Sequence, residues 1–387
     1  MKIISDKLAS LKRIKLSKLR LILIVLGLFI LLGTICFIYL QQRQQRSLKG
    51  VPGQPQGWGQ KPDGAQDFGG PPETSKKPRW NGPIPDPPKD KITYYKGIWR
   101  ATWIYPEERS QLKPEPEKYR EWGVNIINIS PGFEINKDGE VRYPLDFPSY
   151  EDMDARIGEI TEMFYKEGIH LAMTIQIHYK EEFVRGAEWG GATAYVPKEK
   201  IQNPGYLENF DKIVVDMAKI AQKYHLEMFS PLGEPENVFY DAKLASDWNQ
   251  QILPKVKKYY QGKIYYKGDL HKDEGDIINF KGYDVLGIMP HLAELAHNYQ
   301  ALREKVVSNM DKGLAWAKRD GVPEVVVAEH GYEAEGKMWP ADNYNILLEE
   351  SSNRLNGIFL SDPFPNVLET KQGEQIVSMT KKWFSPK

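Results

Sequence analysis

From Lys91 onward the chain alternates short apolar runs with longer segments of helical period, and it does so eight times. The runs are 97–104, 124–129, 170–177, 227–232, 263–266, 285–289, 325–328 and 357–360. Between them lie stretches with apolar residues at the 3.6-residue period, such as 153–167, 206–224, 242–260 and 299–319. A buried strand followed by a helix, repeated, is the pattern of βαβ units around a parallel sheet. Eight units in roughly 295 residues match one (β/α)8 barrel. An open doubly wound sheet would carry a Gly-rich phosphate loop after its first strand. Here that position reads Thr102-Trp103-Ile104-Tyr105-Pro106. The expected fold class is α/β, a single TIM barrel over residues 93–387, preceded by one transmembrane helix and a Pro/Gly-rich linker.

The first 92 residues follow other rules. Leu21 to Leu40 is an uncharged, mostly Leu, Ile, Val and Phe run, long enough to cross a bilayer as one helix. Lys2, Lys7, Lys12, Arg13, Lys15, Lys18 and Arg20 precede it with only Asp6 opposing, whereas Arg43 and Arg46 are the nearest cations after it. The positive-inside bias puts residues 1–20 in the cytoplasm and all that follows Leu40 outside a single-pass cell-membrane anchor. The run lacks a small-residue cleavage site, and Ile35 precedes Cys36 where a lipoprotein signal wants a small residue. Residues 41–92 are Gln-rich, then Pro- and Gly-rich, as in Pro83-Ile84-Pro85-Asp86-Pro87-Pro88. Such a stretch has little to bury and is expected to be a disordered spacer.

Composition narrows the partners. Lys and Arg total 52 and Asp and Glu total 52, so the formal net charge is zero. With no basic stripe beyond the N-terminus, nucleic acid is not an expected partner. The one cysteine, Cys36, excludes a disulfide within the chain. The expected partners are the lipid bilayer, through residues 21–40, and whatever the barrel mouth binds.

Barrels carry their chemistry at the C-terminal ends of the strands. Reading those ends in order gives Arg100 and Trp103, then Glu134, then Gln176-Ile177-His178-Tyr179, then Glu234 and Glu236. Asp269 and His271 follow the fifth run, His291 the sixth, Glu329 and His330 the seventh, and Ser361-Asp362-Pro363-Phe364 the eighth. Two carboxylates on separate strands, Glu234 and Glu329, are what glycoside hydrolysis needs, one as acid/base and one as nucleophile or base.

At this point the chain resembles the clan A glycoside hydrolases, retaining enzymes on (β/α)8 barrels. That clan carries an acid/base Glu after strand four, usually within Asn-Glu-Pro, and a nucleophile Glu after strand seven. Gly233-Glu234-Pro235 matches the first motif apart from the Asn, and Ala328-Glu329-His330-Gly331-Tyr332 resembles the second. The resemblance implies Glu234 as proton donor and Glu329 as nucleophile, their carboxyls about 5–5.5 Å apart. The clan's Asn ordinarily meets the sugar 2-hydroxyl. Gly233 cannot, so Asn237 and Gln176 are candidates for that contact. Arg100 is a candidate cation beside Glu329, and Glu236 competes with Glu234 for the acid role.

The expected substrate-binding set is Arg100, Trp103, His178, Glu236, His271, His291, Trp339 and Asp362. His330 belongs to the same group of strand-end histidines, and His291 is a candidate contact of Glu329. Aromatic rings stack on sugar faces, and Trp189, Tyr195, Trp339 and Phe364 fall in loops after strands three, seven and eight. Trp122, Trp248 and Trp316 instead read as packing between helices and strands. The Gly-rich segment Arg185 to Ala192 is a candidate wall of the cleft.

The leading expectation is a membrane-tethered, extracytoplasmic retaining glycosidase that cleaves a β-linked oligo- or polysaccharide without a cofactor. A carbohydrate-binding barrel without catalysis is the alternative that Gly233 favours. A metal-dependent barrel hydrolase is the third, since His271, His291 and Asp362 fall on strands five, six and eight as in the amidohydrolases. Those barrels also carry His-x-His on strand one and often a strand-four Lys, neither of which occurs here. No metal is expected.

Overall fold

The computed structural model describes residues 79–100, 115–135, 141–144, 147, 149–179, 204–239, 241–270, 274–290, 298–330, 341–361 and 371–385. The expected membrane segment, residues 21–40, lies outside them. Among the described residues no helix is long and apolar enough to cross a membrane.

The strands are β1 (Tyr95–Arg100), β2 (Ile126–Ile129), β3 (Gly132–Ile135), β4 (Val141–Pro144), β5 (His170–Thr174) and β6 (Gln176–Tyr179), then β7 (Met228–Ser230), β8 (Lys263–Lys267), β9 (Val285–Ile288), β10 (Glu324–Val327) and β11 (Gly357–Ser361). Eight of them close a parallel barrel in the order β1, β2, β5, β7, β8, β9, β10, β11 and back to β1. Each expected apolar run overlaps one barrel strand, so β7 is the fourth, β8 the fifth and β10 the seventh. The helices have recognisable ends. Ser149 caps Tyr150–Lys166 by accepting from the Asp152 amide, and Asn298 caps Tyr299–Asp320 by accepting from Ala301. The latter helix stops at Gly321, whose φ of 72° is the left-handed conformation that ends helices.

Two apolar layers hold this frame together. Inside the barrel pack Tyr95, Trp99, Ile126, Ala172, Met228, Tyr265, Val285, Val326, Ala328 and Phe359. A larger layer lies between strands and helices, with Ile127, Leu171, Phe229, Tyr266, Leu286, Phe210, Ile252 and Leu347 among its members. Each fully buried aliphatic or aromatic side chain contributes about 1.5–3 kcal/mol. The interior is filled so closely that two inward positions are glycine. A Cβ on Gly97 would meet Phe359 Cδ1 at 2.3 Å, and one on Gly287 would meet Tyr265 Cε2 at 2.5 Å. The N-terminal end is closed by a polar cluster, in which Lys263 contacts Glu324 at 2.8 Å and also the Tyr95 hydroxyl, which donates to Glu324 at 3.0 Å.

Three expectations need correction. The first strand starts at Tyr95, two residues before the expected run. The apolar run 170–177 is two strands, because the chain leaves the barrel at Ile175 and β6 pairs with β3 in a separate three-stranded sheet, β4-β3-β6. The spacer expected to reach residue 92 already contacts the barrel's helices at Arg79 and Trp80. Arg79 Nε meets Asp152 at 2.5 Å, Trp80 Nε1 donates to Glu162 at 2.8 Å, and the Trp80 ring lies edge-on to Tyr224. Proline-rich chain ahead of the barrel still buries surface where an aromatic ring meets a helix, and Gly158 leaves the space for that ring.

Candidate active site

Alternation along each strand sends every second side chain inward. From Ile126, Ala172, Met228, Tyr265 and Phe359, which pack inside, the next inward positions toward the C-terminal end are Asn128, Thr174, Ser230, Lys267 and Ser361. All five are buried polar residues. The barrel interior therefore changes from apolar to polar at the end where barrels carry chemistry. Asn128 Nδ2 donates to the Thr174 hydroxyl at 3.1 Å, and the Ser230 hydroxyl donates to the Leu232 carbonyl at 3.1 Å.

Glu234 stands just beyond β7. Its backbone is left-handed, φ 53° and ψ 58°, a conformation that costs a non-glycine residue about 1–3 kcal/mol. Tertiary hydrogen bonds hold it there. The Gly233 amide donates to the Ile175 carbonyl at 2.8 Å, and the Glu234 amide donates to the Lys267 carbonyl at 2.7 Å. Pro235 then opens a one-turn helix, Pro235–Val238, which a proline suits at its first position. The strained residue is thus clamped between the third and fifth barrel strands, and its side chain is aimed across the mouth.

Glu329 follows β10, and the two glutamates meet on one cation. The Lys267 ammonium contacts Glu234 Oε1 and lies 2.7 Å from Glu329 Oε2. An ammonium bonded to both brings their oxygens within about 5–6 Å of each other. Lys267 is 1% exposed, against 17% for Glu234 and 25% for Glu329, so the lysine lies beneath the pair and the carboxylates face outward. Its ammonium is 4.5 Å from the centre of the Trp99 ring. Burial works against the lysine's charge, but the two carboxylates outweigh it and hold the ammonium above the ordinary lysine range. Ser361 donates to the other Glu329 oxygen at 3.2 Å. Asn237 Nδ2 donates to Glu234 Oε2 and to Asp269 Oδ2, each at 3.2 Å.

These contacts alter several expectations. Among the described side chains the cation beside Glu329 is Lys267; Arg100 ends β1, and its side chain lies outside them. Glu236 is not at the mouth. It is buried, with Tyr266 donating to one oxygen at 2.6 Å and the Asp269 amide to the other at 2.5 Å. Burial pushes its carboxyl up to about 8, against the pull of those two donors. It supports the loops after β7 and β8 from behind. His330 is also buried, against Tyr344 of the helix layer, and burial lowers its imidazole to about 3, so it is neutral. Asn237 touches Glu234, while Gln176 sits in the separate sheet at the start of β6.

His178 pairs with Glu134 in that sheet through the backbone, and its side chain is outside the described residues. Trp103, His271, His291, Trp339 and Asp362 lie outside them altogether, as do Trp189, Tyr195 and Phe364. Among the described residues no group of three or more His, Cys, Asp or Glu is gathered as for a metal ion.

Lysine 267 is the residue that reading the sequence missed. Its signal was its spacing: it stands two positions after the inward Tyr265 at the end of an apolar strand, where a charge needs partners on neighbouring strands.

No protein-family model and no curated protein sequence matches the chain. Solved structures do resemble it. A GH113 β-1,4-mannanase in complex superposes with a TM-score of 0.56 at 14% identity, covering 76% of this chain and 100% of its own. A GH113 β-mannanase from Alicyclobacillus acidocaldarius gives 0.55 at 12% identity, covering 76% and 97%. A family 5 glycoside hydrolase from Prevotella bryantii B14 gives 0.53 at 11% identity, covering 76% and 96%. At such identities the likeness is one of fold.

Proposed function

We propose that this chain is a retaining glycoside hydrolase acting on a β-linked polysaccharide of the β-1,4-mannan type. Residues 21–40 hold it in the cell membrane, with its N-terminus cytoplasmic and its barrel outside. The observation that carries the reading is the meeting of Glu234 and Glu329 on one lysine at the C-terminal end of the barrel. The closeness this imposes is compatible with the roughly 5–5.5 Å of retaining enzymes. The mannan-type substrate follows from the solved structures of similar fold, which are named as mannanases.

In this reading the Glu329 carboxylate attacks the anomeric carbon as the glycosidic C–O bond breaks. Glu234 gives its proton to the departing oxygen. Water then attacks the same carbon, its proton passes to Glu234, and Glu329 leaves as a free carboxylate. Ser361 steadies the nucleophile and Asn237 the acid. Neither step draws on a cofactor.

A second reading is a barrel that binds a glycan without cleaving it. Gly233 favours it, because no side chain stands there to meet a sugar hydroxyl.

The test is hydrolysis of β-1,4-mannan and a panel of other β-glycans by the full-length chain, with early products read by proton NMR. Hydrolysis that releases the β-anomer first, and falls at least about 1,000-fold in Glu234→Gln and Glu329→Gln, supports the reading. An α-anomer released first, or either variant as active as the parent, refutes it. Binding without hydrolysis selects the second reading.

A further inference from the structure

Gly233 and Lys267 are neighbours in both backbone and side chain. The two residues form a parallel bridge, and the Glu234 amide is bonded to the Lys267 carbonyl. A Cβ built on Gly233 would lie 3.1 Å from the Thr174 methyl and 3.9 Å from Lys267 Cδ. The Thr174 methyl is the close limit on that position, and the lysine stem runs alongside at ordinary contact distance. The stem ends under both carboxylates, with the Trp99 ring over its ammonium.

We propose that Lys267 is a positioning residue that fixes the spacing of Glu234 and Glu329 and shares one positive charge between them. This rests on the glycosidase reading for its role in turnover, but not for its effect on the two carboxylates.

The argument is one of charge counting. Around the ammonium, the facing charged groups among the described residues are Glu234 after β7 and Glu329 after β10. Asp269, after β8, is tied to Asn237, and Glu236 is buried behind Gly268. From β1 comes the uncharged Trp99 and from β11 the Ser361 hydroxyl. One ammonium between two carboxylates leaves a net charge of minus one. When Glu329 forms an ester with the sugar, its charge disappears. The ammonium is then opposed by Glu234 alone and holds that group as the carboxylate that must accept a proton from water. One lysine thus holds both carboxylates in the free site and faces Glu234 alone in the intermediate.

The experiment is a difference-infrared pH titration of the carboxyl groups in the full-length chain, with no substrate. Glu234→Gln and Glu329→Gln variants assign the bands. Removing the ammonium with Lys267→Met, or with Lys267→Gln if the first variant does not fold, should raise the pH at which the pair takes up its proton by roughly one to three units. Lys267→Arg, which keeps the charge, should hold it within about half a unit of the parent. An unchanged midpoint in both neutral variants overturns the proposal, as does failure of both to fold while Lys267→Arg folds with a midpoint moved as far as the neutral variants were expected to move it.

Turnover is the second readout. On a glycan that the parent cleaves, the neutral variant should shift the alkaline limb of kcat/KM upward and lower kcat more than kcat/KM, because the water step slows. A purely structural lysine would scale both constants without moving the limb. If the titration shifts but the parent cleaves no glycan, the functional reading fails and the role of Lys267 stands. If the parent is active and the titration does not move, the role of Lys267 fails alone.

Discussion

Glu236→Gln should remove a pH dependence of stability that the wild-type chain carries. The carboxyl is buried, and burial raises it from 4.5 to about 8 in the folded protein. Between those values the folded state keeps the proton and the unfolded state releases it. The unfolded state therefore binds fewer protons, and stability falls as pH rises. The full contribution is present below about pH 4.5 and is lost as pH climbs toward 8. The slope is about 1.4 kcal/mol per unit, so raising the pH from about 5.5 to about 7.5 should cost the wild type about 2.7 kcal/mol. Glutamine is nearly isosteric, still accepts from the Asp269 amide or the Tyr266 hydroxyl, and does not titrate. The readout is the difference in Tm between wild type and variant across that range, in which other titrating groups cancel. The difference should change in the variant's favour by roughly 4 °C for a barrel of this size. A difference that stays constant with pH would show that Glu236 is ionised in the folded state and that burial does not control it.

Three further outcomes follow from the packing. Gly97→Ala drives a methyl into the Phe359 ring and should cost about 1–3 kcal/mol, measured by thermal or urea unfolding, with Phe359→Leu in the same chain recovering part of it. Trp80→Phe removes the hydrogen bond to Glu162 and should cost about 1 kcal/mol, whereas truncating residues 1–92 should cost more because Arg79 and Trp80 are lost together. Ser361→Ala deletes the hydroxyl donor to Glu329 and should lower kcat/KM on the cleaved glycan by roughly 10- to 100-fold with little change in Tm.

The strand count was readable because eight apolar runs, each too short for a helix and each followed by a helical period, leave few alternatives to a parallel barrel. That count alone assigned Glu234 and Glu329 to the fourth and seventh strands. Tertiary structure decided what surrounds them. Glu236 and Glu234 are separated by one residue and are chemically identical, yet a left-handed turn at Glu234 sends one outward and buries the other. His330 adjoins Glu329 but is buried against Tyr344 of the helix layer. No local pattern reports such choices, because they depend on which backbone carbonyls and side chains the neighbouring strands bring.

The sequence by itself determined the barrel, the strand ends and the two carboxylates, since periodicity and strand order are local properties that accumulate along the chain. Only the tertiary structure decided that Lys267, 33 residues beyond Glu234 and 62 before Glu329, is the group that joins them. The physical reason lies in barrel closure. Inward side chains of different strands become neighbours only when the sheet has closed, and a buried lysine keeps its charge only where two carboxylates meet it.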